Sequence, residues 1–488
     1  MSGKKEDNSY KSILKGVSIF GGVKIFELLI GVLRGKFVAL FLGPEGMGVS
    51  SLFTSASTPI QQFSSLGLNL AIVKEVASNR DNPESRRKAF AAAGRLISLT
   101  AIFGALVCFF AAPWLSRASF GTDAYTWQFM LLSISVYLSI GGSGRLAMLQ
   151  GLHEVKRLSK ASLTGGLTGL FIGVPLYYFF GDKGIVPAII ATTFATYFFY
   201  SYNLRKAEGN PGRTEFVWQE HRPIVKRLIT MGLILMASDL IGSLCTYGSN
   251  VYVRTLAGTV TLGLYQAANS LTNQYAGMVF TAMSLDYFPR LTATAHDNEG
   301  MRTVVNRQTE IVSLLIAPAA IALIITSPIA IRLLFTDKFL PAVELMRWLG
   351  AGVTLKALMY PMGYIAFAKD DKRLFFWLEG VYGNLLTLIA SCGMFSLFGL
   401  NGLGYGVVLD CTICFVTYYI INNRKYGYTL DRRAWSGCAY ALLTVGAAFG
   451  ASFITDTIWS YIAMGCVFAA TCVVSFKGIR SRLKKKEG

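Results

Sequence analysis

Residues 13–42, ILKGVSIFGGVKIFELLIGVLRGKFVALFL, form a run long and apolar enough to cross a membrane, yet Lys24, Glu27 and Arg34 lie inside it. As a helix rising 1.5 Å per residue it reaches roughly 45 Å, against a hydrocarbon core of about 30 Å, which sets Lys24 and Glu27 near mid-depth. The spacing 24, 27, 31, 34 stacks Lys24, Glu27, Gly31 and Arg34 on one stripe of the helix. Charges at that depth are costly unless they pair or line a wet space, so the stripe reads as the lining of a substrate or ion path. The competing reading is a self-neutralising Lys24–Glu27 pair with Arg34 snorkelling outward.

The rest of the chain repeats this character. It has 488 residues, 53% hydrophobic and only 15% charged, with a mean hydropathy of +0.47, which excludes an ordinary soluble domain. The net charge of +19 would suggest nucleic acid in a soluble protein, but here Lys and Arg fall in short segments between apolar runs, where they act as topology signals. No nucleic-acid partner is expected. The N-terminus, MSGKKEDNSYK, lacks the apolar region and small-residue cleavage site of a signal peptide, so the first helix is its own targeting signal. Cys108, Cys245, Cys392, Cys411, Cys414, Cys438, Cys466 and Cys472 all lie in apolar stretches and read as small packing residues. Cys411-x-x-Cys414 has a redox or metal spacing, but no second ligand pair stands near it, and no metal is expected.

Apolar runs bounded by charge, Gly or Pro give fourteen spans, at about 13–42, 48–77, 88–113, 123–150, 160–180, 184–204, 226–257, 261–290, 303–333, 341–368, 374–398, 402–422, 433–454 and 457–477. Alternate connections carry the basic residues, among them Arg86, Arg87 and Lys88, then Lys156 and Arg157, then Arg205, Lys206, Arg222 and Arg227. The other set holds little beyond Arg117, Lys183 and Lys338. The positive-inside rule then places both termini in the cytoplasm, as an even number of spans requires. The basic tail RSRLKKKEG is expected to lie against anionic headgroups.

Gly43-Pro-Glu-Gly-Met-Gly48 recurs as Gly258-Thr-Val-Thr-Leu-Gly263, and Pro113, Arg117 and Phe120 recur as Pro328, Arg332 and Phe335, all at an offset of 215. Further on, Lys156-Arg157-Leu158 answers Lys372-Arg373-Leu374 at 216, and Phe180-Gly181-x-x-Gly184 answers Phe398-Gly399-x-x-Gly402 at 218. Two six-span halves follow, entering the membrane in the same direction because six is even. The domains are therefore an N-terminal lobe at 1–207, a linker at 208–225, a C-terminal lobe at 226–425, and two extra helices with the basic tail at 426–488.

In a two-lobed transporter the first helices of each half flank the cavity. Span seven stacks Asp239, Ser243, Thr246, Asn250 and Arg254, the counterpart of the Lys24, Glu27, Arg34 stripe. Spans two and eight add Thr58 and Gln61, and Asn269 and Asn273. Lys24, Arg34, Arg254, Thr58, Gln61, Asn250, Asn269 and Asn273 are thus the candidate lining residues, with helix–helix bonding the alternative for the uncharged ones. Glu27, Asp239 and Asp410 are the carboxylates available to a coupling ion, H⁺ or Na⁺. Lys356 and Asp410 also read as a structural pair, while Arg145 and Glu379 read as snorkelling or loop-paired residues. Pro59, Pro318, Pro328 and Pro361 are candidate bend points. Enzyme signatures are absent. There is no Walker A motif, His153-Glu154 lacks the second His of a zinc-protease helix, and Gly402-x-Gly-x-Gly406 opens an apolar span.

On LKGVSIFGGVKIFELLIGVLRGKFVALFLGPEGMGVSSLF, VYVRTLAGTVTLGLYQAANSLTNQY and FPRL at 288–291, with six, six and two spans, the chain resembles the multidrug/oligosaccharidyl-lipid/polysaccharide flippase superfamily, and most its bacterial polysaccharide branch, the O-antigen translocases. The resemblance implies an all-α polytopic inner-membrane protein with two parallel six-helix lobes around a central cavity plus two C-terminal helices. It implies transfer of undecaprenyl-pyrophosphate-linked oligosaccharide to the periplasmic face by alternating access, with no cofactor, among membrane lipids and other polysaccharide assembly proteins. The alternatives are a cation-coupled exporter of the multidrug and toxin extrusion type and, against the short external loops, a glycan polymerase or ligase. A cysteine placed between Glu208 and Arg222 is expected to resist membrane-impermeant maleimide from the periplasm and to react after permeabilisation; periplasmic labelling overturns the topology.

Overall fold

The computed structural model describes residues 3–79, 82–208 and 217–484, leaving out the side chains of residues 3–25, 208, 234–235, 278–279, 281–286 and 482–484. Every regular element among the described residues is helical. The helical run Gly3–Ser65 is two helices joined at Gly43 (φ 66°, ψ −165°), and the run Trp218–Ala293 divides likewise at Gly258 (φ 81°, ψ 174°). Such backbone angles are open to glycine, which has no Cβ to clash. The GPEGMG repeat noted in the sequence therefore marks two equivalent helix breaks.

Divided there, the helices are α1 (3–42), α2 (44–78, interrupted at Leu66 and Gly67), α3 (Pro83–Phe120), α4 (Thr126–Gly151), α5 (Val155–Phe180), α6 (Ile185–Glu208), α7 (218–257), α8 (259–293), α9 (Asn298–Leu334), α10 (Ala342–Ala368), α11 (372–398), α12 (Leu400–Tyr426), α13 (Arg432–Ala451) and α14 (Thr457–Lys484). They match the fourteen expected spans in order. Eight continuous helical stretches among the described residues are long and apolar enough to cross a bilayer by composition alone, α5 and α6 counting as one. The helices outside that set are α1, α2, α7, α8 and α10, where the polar stripes and Lys356 lie. Helical structure continues through Pro59, Pro318, Pro328 and Pro361, and the two long helical runs break at Gly43 and Gly258 instead.

The repeat is written into the caps as well. Asn82 opens α3 by accepting from the Glu84 and Ser85 amides, and Asp297, 215 residues on, opens α9 by accepting from Glu299 and Gly300. A side-chain oxygen at this position satisfies amides that the first turn leaves without partners. The turn after α4 holds His153 at φ 57°, and the turn after α10 holds Asp370 at φ 54°. Glu154 N to Leu149 O and Val155 N to His153 O in the first turn recur as Asp371 N to Ala366 O and Lys372 N to Asp370 O in the second. That offset is 217, so Lys156 answers Arg373. The sequence match at 216 slipped by one because adjacent basic residues serve equally well beside the headgroups.

By packing, the chain forms two compact units, residues 1–260 and 261–488. The packing boundary falls between α7 and α8, whereas the sequence period places its joint at 208–225. In the first unit, Leu68, Ile72 and Val76 of α2 pack with Phe90, Leu96 and Ile97 of α3, Met148 and Leu149 of α4, and Val225 and Leu228 of α7. In the second unit the hairpin α13–α14, outside the repeat, buries Cys438, Ala441, Val445 and Met464 against Val312, Ile316 and Ile321 of α9 and Val353 and Ala357 of α10.

Helix α7 is joined to α2 by an Arg227–Glu75 fork at 2.7 and 3.3 Å, and by a close backbone approach at the α2 interruption. A Cβ on Gly232 would fall 2.1 Å from the Leu66 carbonyl oxygen, and one on Gly67 would fall 2.2 Å from that of Gly232. Gly232→Ala is therefore expected to force the helices apart and cost about 1–3 kcal/mol. Gly31→Ala, inside a regular stretch of α1 with nothing within 4 Å of the added methyl, incurs no such clash. Thermal unfolding in detergent should rank Gly232→Ala below Gly31→Ala, and the reverse order rules out the close approach.

Candidate functional site

On α1, Glu27 and Arg34 are half-buried and Gly31 is exposed, with nothing within 4 Å of where its Cβ would stand. The adjacent Ile30 packs toward α5, 3.3 Å from a Cβ built on Gly166. The stripe is thus open at Gly31, with Glu27 and Arg34 half-buried on either side of it, while a neighbouring face is packed. The Lys24 side chain lies outside the described residues.

The α7 stripe divides. Asp239 and Thr246 are exposed, whereas Asn250 is buried with its amide 3.5 Å from Ser51 Oγ of α2, and Tyr247 shares a 2.8 Å hydrogen bond with Ser119 of α3. Arg254 donates from Nη2 to the Phe120 carbonyl, beside Gly121 at φ 70°. That carbonyl belongs to the last turn of α3, where acceptors lack intrahelical partners and the helix dipole is negative, so Arg254 caps the helix. On α2, Gln61 accepts from Ser139 of α4 at 2.7 Å and donates to Ser57 at 3.2 Å, while Thr58 bonds to its own Thr54 carbonyl at 2.8 Å. Gln61 and Asn250 thereby join helices, as small polar residues do in membranes.

In the second unit, Asn273 of α8 is exposed and donates to half-buried Asn269 at 2.9 Å. Asp410 of α12 is buried and accepts from Thr387 of α11 at 2.7 Å, with Cys414 Sγ at 3.6 Å. Lys356, its expected partner, is exposed, and Asp410 is met by a hydroxyl and a thiol. The sequence reads Glu379 as snorkelling or loop-paired. Instead α11 is π-helical from Phe376 to Gly383, and a Cβ on Gly363 of α10 would fall 2.8 Å from Glu379 Oε1. The glycines at 380 and 383 around Glu379 are the only sequence trace of that irregular turn.

Outside the spans, Arg117 forks onto Asp123 at 2.7 and 3.0 Å, and its guanidinium holds the Asp123 carboxyl below the usual range. In the second unit Asp371 caps α11 through the Leu374 amide at 3.1 Å and pairs with Lys425 and Tyr426. The Lys425 ammonium, then Tyr426 and the amide, hold the Asp371 carboxyl low.

The fold has solved counterparts. Lipid II flippase MurJ in an inward closed conformation aligns at a TM-score of 0.73 and 13% identity, over 95% of this chain and 99% of that one. An inward-facing multidrug resistance MATE family transporter of the MOP superfamily aligns at 0.71 and 15% identity, over 82% and 94%. The molecule thus has the transporter fold shared by MurJ and the MATE family. Residues 37–344 match the family model described as polysaccharide biosynthesis protein, and the chain belongs to that family. The lipid III flippase of Escherichia coli (strain K12) is 24% identical over 370 residues, 74% of this chain and 86% of the relative.

A carboxyl whose folded value is depressed stabilises the fold above its unfolded value, near 3.9 for Asp, and loses that contribution as pH falls through the folded one. Asp371→Asn is therefore expected to lower the melting temperature at neutral pH, with the gap to wild type closing in acid below the ordinary Asp range. A gap that stays constant with pH removes the ionised pair as its cause.

Proposed function

We propose that the protein is a flippase that carries an undecaprenyl-pyrophosphate-linked oligosaccharide, a unit of O-antigen or another surface glycan, from the cytoplasmic to the periplasmic face of the bacterial inner membrane. It works by alternating access, with both termini cytoplasmic, driven by an inward H⁺ or Na⁺ gradient, and it is not an enzyme. The observation that carries this reading is half-buried Arg34 on the α1 stripe, three residues from the open space at Gly31, in a member of the polysaccharide biosynthesis family. An arginine fork engages phosphate oxygens bidentately, and a headgroup held in this way leaves the polyprenyl tail in the bilayer. The lipid III flippase similarity supports a lipid-linked cargo. A second reading, a cation-coupled multidrug exporter, draws on the MATE likeness and on the exposed Asp239 of α7.

In proteoliposomes loaded with lipid-linked oligosaccharide, Arg34→Ala should abolish flipping at normal membrane insertion, and Arg34→Lys should restore part of it. The double change Lys24→Ala with Glu27→Gln separates a structural pair from substrate contacts: normal transport leaves Arg34 as the phosphate residue of this helix. Wild-type rates in Arg34→Ala at equal expression defeat the cationic-lining reading, and export of cationic dyes with no lipid flipping favours the second one.

A further inference from the structure

A polar line runs through the second unit. Along α12, Asp410, Cys414, Tyr418 and Asn422 recur every fourth residue, one stripe of a helix, and all four are buried, Tyr418 and Asn422 at 1% exposure. Asp410 lies at its inner end, with Thr387 Oγ1 donating to Oδ2 at 2.7 Å and Cys414 Sγ 3.6 Å from Oδ1. Two turns toward the end where α10 gives way to α11, the Tyr418 hydroxyl donates to the Leu378 carbonyl at 3.3 Å. There the π-helical turn adds a residue to α11 and changes where its side chains point. Asn384 Nδ2 donates to the Glu379 and Gly380 carbonyls at 3.0 and 2.9 Å, which supports the irregular backbone. Glu379 is thereby aimed between α10 and α12. A Cβ on Gly363 would stand 2.8 Å from Glu379 Oε1 and 3.4 Å from Tyr418 Cε2, so the carboxyl tip fills the notch that this glycine leaves.

We infer that Glu379 and Asp410 form a proton-carrying pair, linked by Tyr418 and Cys414, through which the second unit takes up and releases the coupling ion. This rests on the cation-coupled reading above and names the ion as H⁺. Glu379 lies about 10 Å along α11 from its start at Lys372, and Asp410 lies roughly 24 Å along α12 from its end at Tyr426, so the line leads from one membrane edge to mid-depth. The groups that face the carboxyls are Tyr418, Cys414 and Cys411 of α12, Thr387 of α11 and, at longer range, the exposed Lys356 of α10. A hard metal cation needs a shell of oxygen ligands, whereas the side chains that meet Asp410 are one hydroxyl and one thiol, and the Thr387 hydroxyl also lies 2.9 Å from the Gly383 carbonyl, so it can turn its hydrogen to that carbonyl when Asp410 is protonated. A carboxyl held by such donors exchanges a proton with little rearrangement.

Dicyclohexylcarbodiimide, an apolar reagent that adds only to protonated carboxyls, tests the pair in the purified full-length protein. Peptide mapping by mass spectrometry should find Glu379 and Asp410 labelled in acid and progressively less as pH rises, with Gly363→Ala, which crowds Glu379 from its notch, altering the labelling of Glu379 alone. In proteoliposomes that flip lipid-linked oligosaccharide, an imposed pH gradient should drive the wild type, and the drive should be lost in Glu379→Gln and Asp410→Asn and partly restored in Glu379→Asp. Absence of label at both carboxyls, an undiminished gradient response in Glu379→Gln, or a wild type that answers Na⁺ and not pH overturns the inference. A protein that flips no lipid-linked oligosaccharide defeats the function proposed above, while the labelling still reads whether these two carboxyls bind protons.

Discussion

A polar side chain inside a bilayer has no water to turn to, and the structure of each unit follows from how its buried polar groups are met by protein. Gln61 is met by Ser139, Asn250 by Ser51, Tyr247 by Ser119, and Asp410 by Thr387 and Cys414. Such bonds between membrane helices contribute only about 0.6 kcal/mol each on average. An unmet polar group in hydrocarbon costs several times that amount. For these four groups the penalty outweighs the small net gain per bond, although buried atoms such as Ser64 Oγ and Trp348 Nε1 have no hydrogen-bond partner among the described residues.

Backbone geometry obeys the same constraint. Helix ends inside or near the membrane expose carbonyls and amides, and the molecule closes them with Asn82, Asp297, Asp371 and Arg254. Because the caps and the glycine breaks recur at offsets of 215 to 218, the two halves of the sequence follow one local plan. Packing then draws a different line. Helix α7 begins the second repeat, yet Glu75, Ser51, Ser119 and the Phe120 carbonyl engage it within the first unit.

Two polar stripes contrast in their surroundings. That of α1 is bordered by open space at Gly31. That of α12 is buried to a few per cent and bounded by the notch at Gly363 that the Glu379 carboxyl fills. The stripe spacing is similar in both, so the difference in what each accommodates comes from the neighbouring helices.

The sequence alone determined the all-helical membrane class, the fourteen spans and the internal repeat, because apolar run length, basic loop asymmetry and recurring glycines are local signals tied directly to bilayer thickness and to φ. It also identified the stripe on α1, since i, i+3 and i+7 spacing needs nothing beyond helix geometry. It left open whether Gln61 and Asn250 line a cavity or join helices, and it did not reveal that Arg254 reaches a helix terminus or that Glu379 turns inward beside Tyr418. Those outcomes depend on which helix lies across from each side chain and on one extra residue in a helical turn, and a spacing rule carries neither. Only tertiary packing decides them, because a buried charge takes whichever partner the neighbouring backbone brings within hydrogen-bond reach.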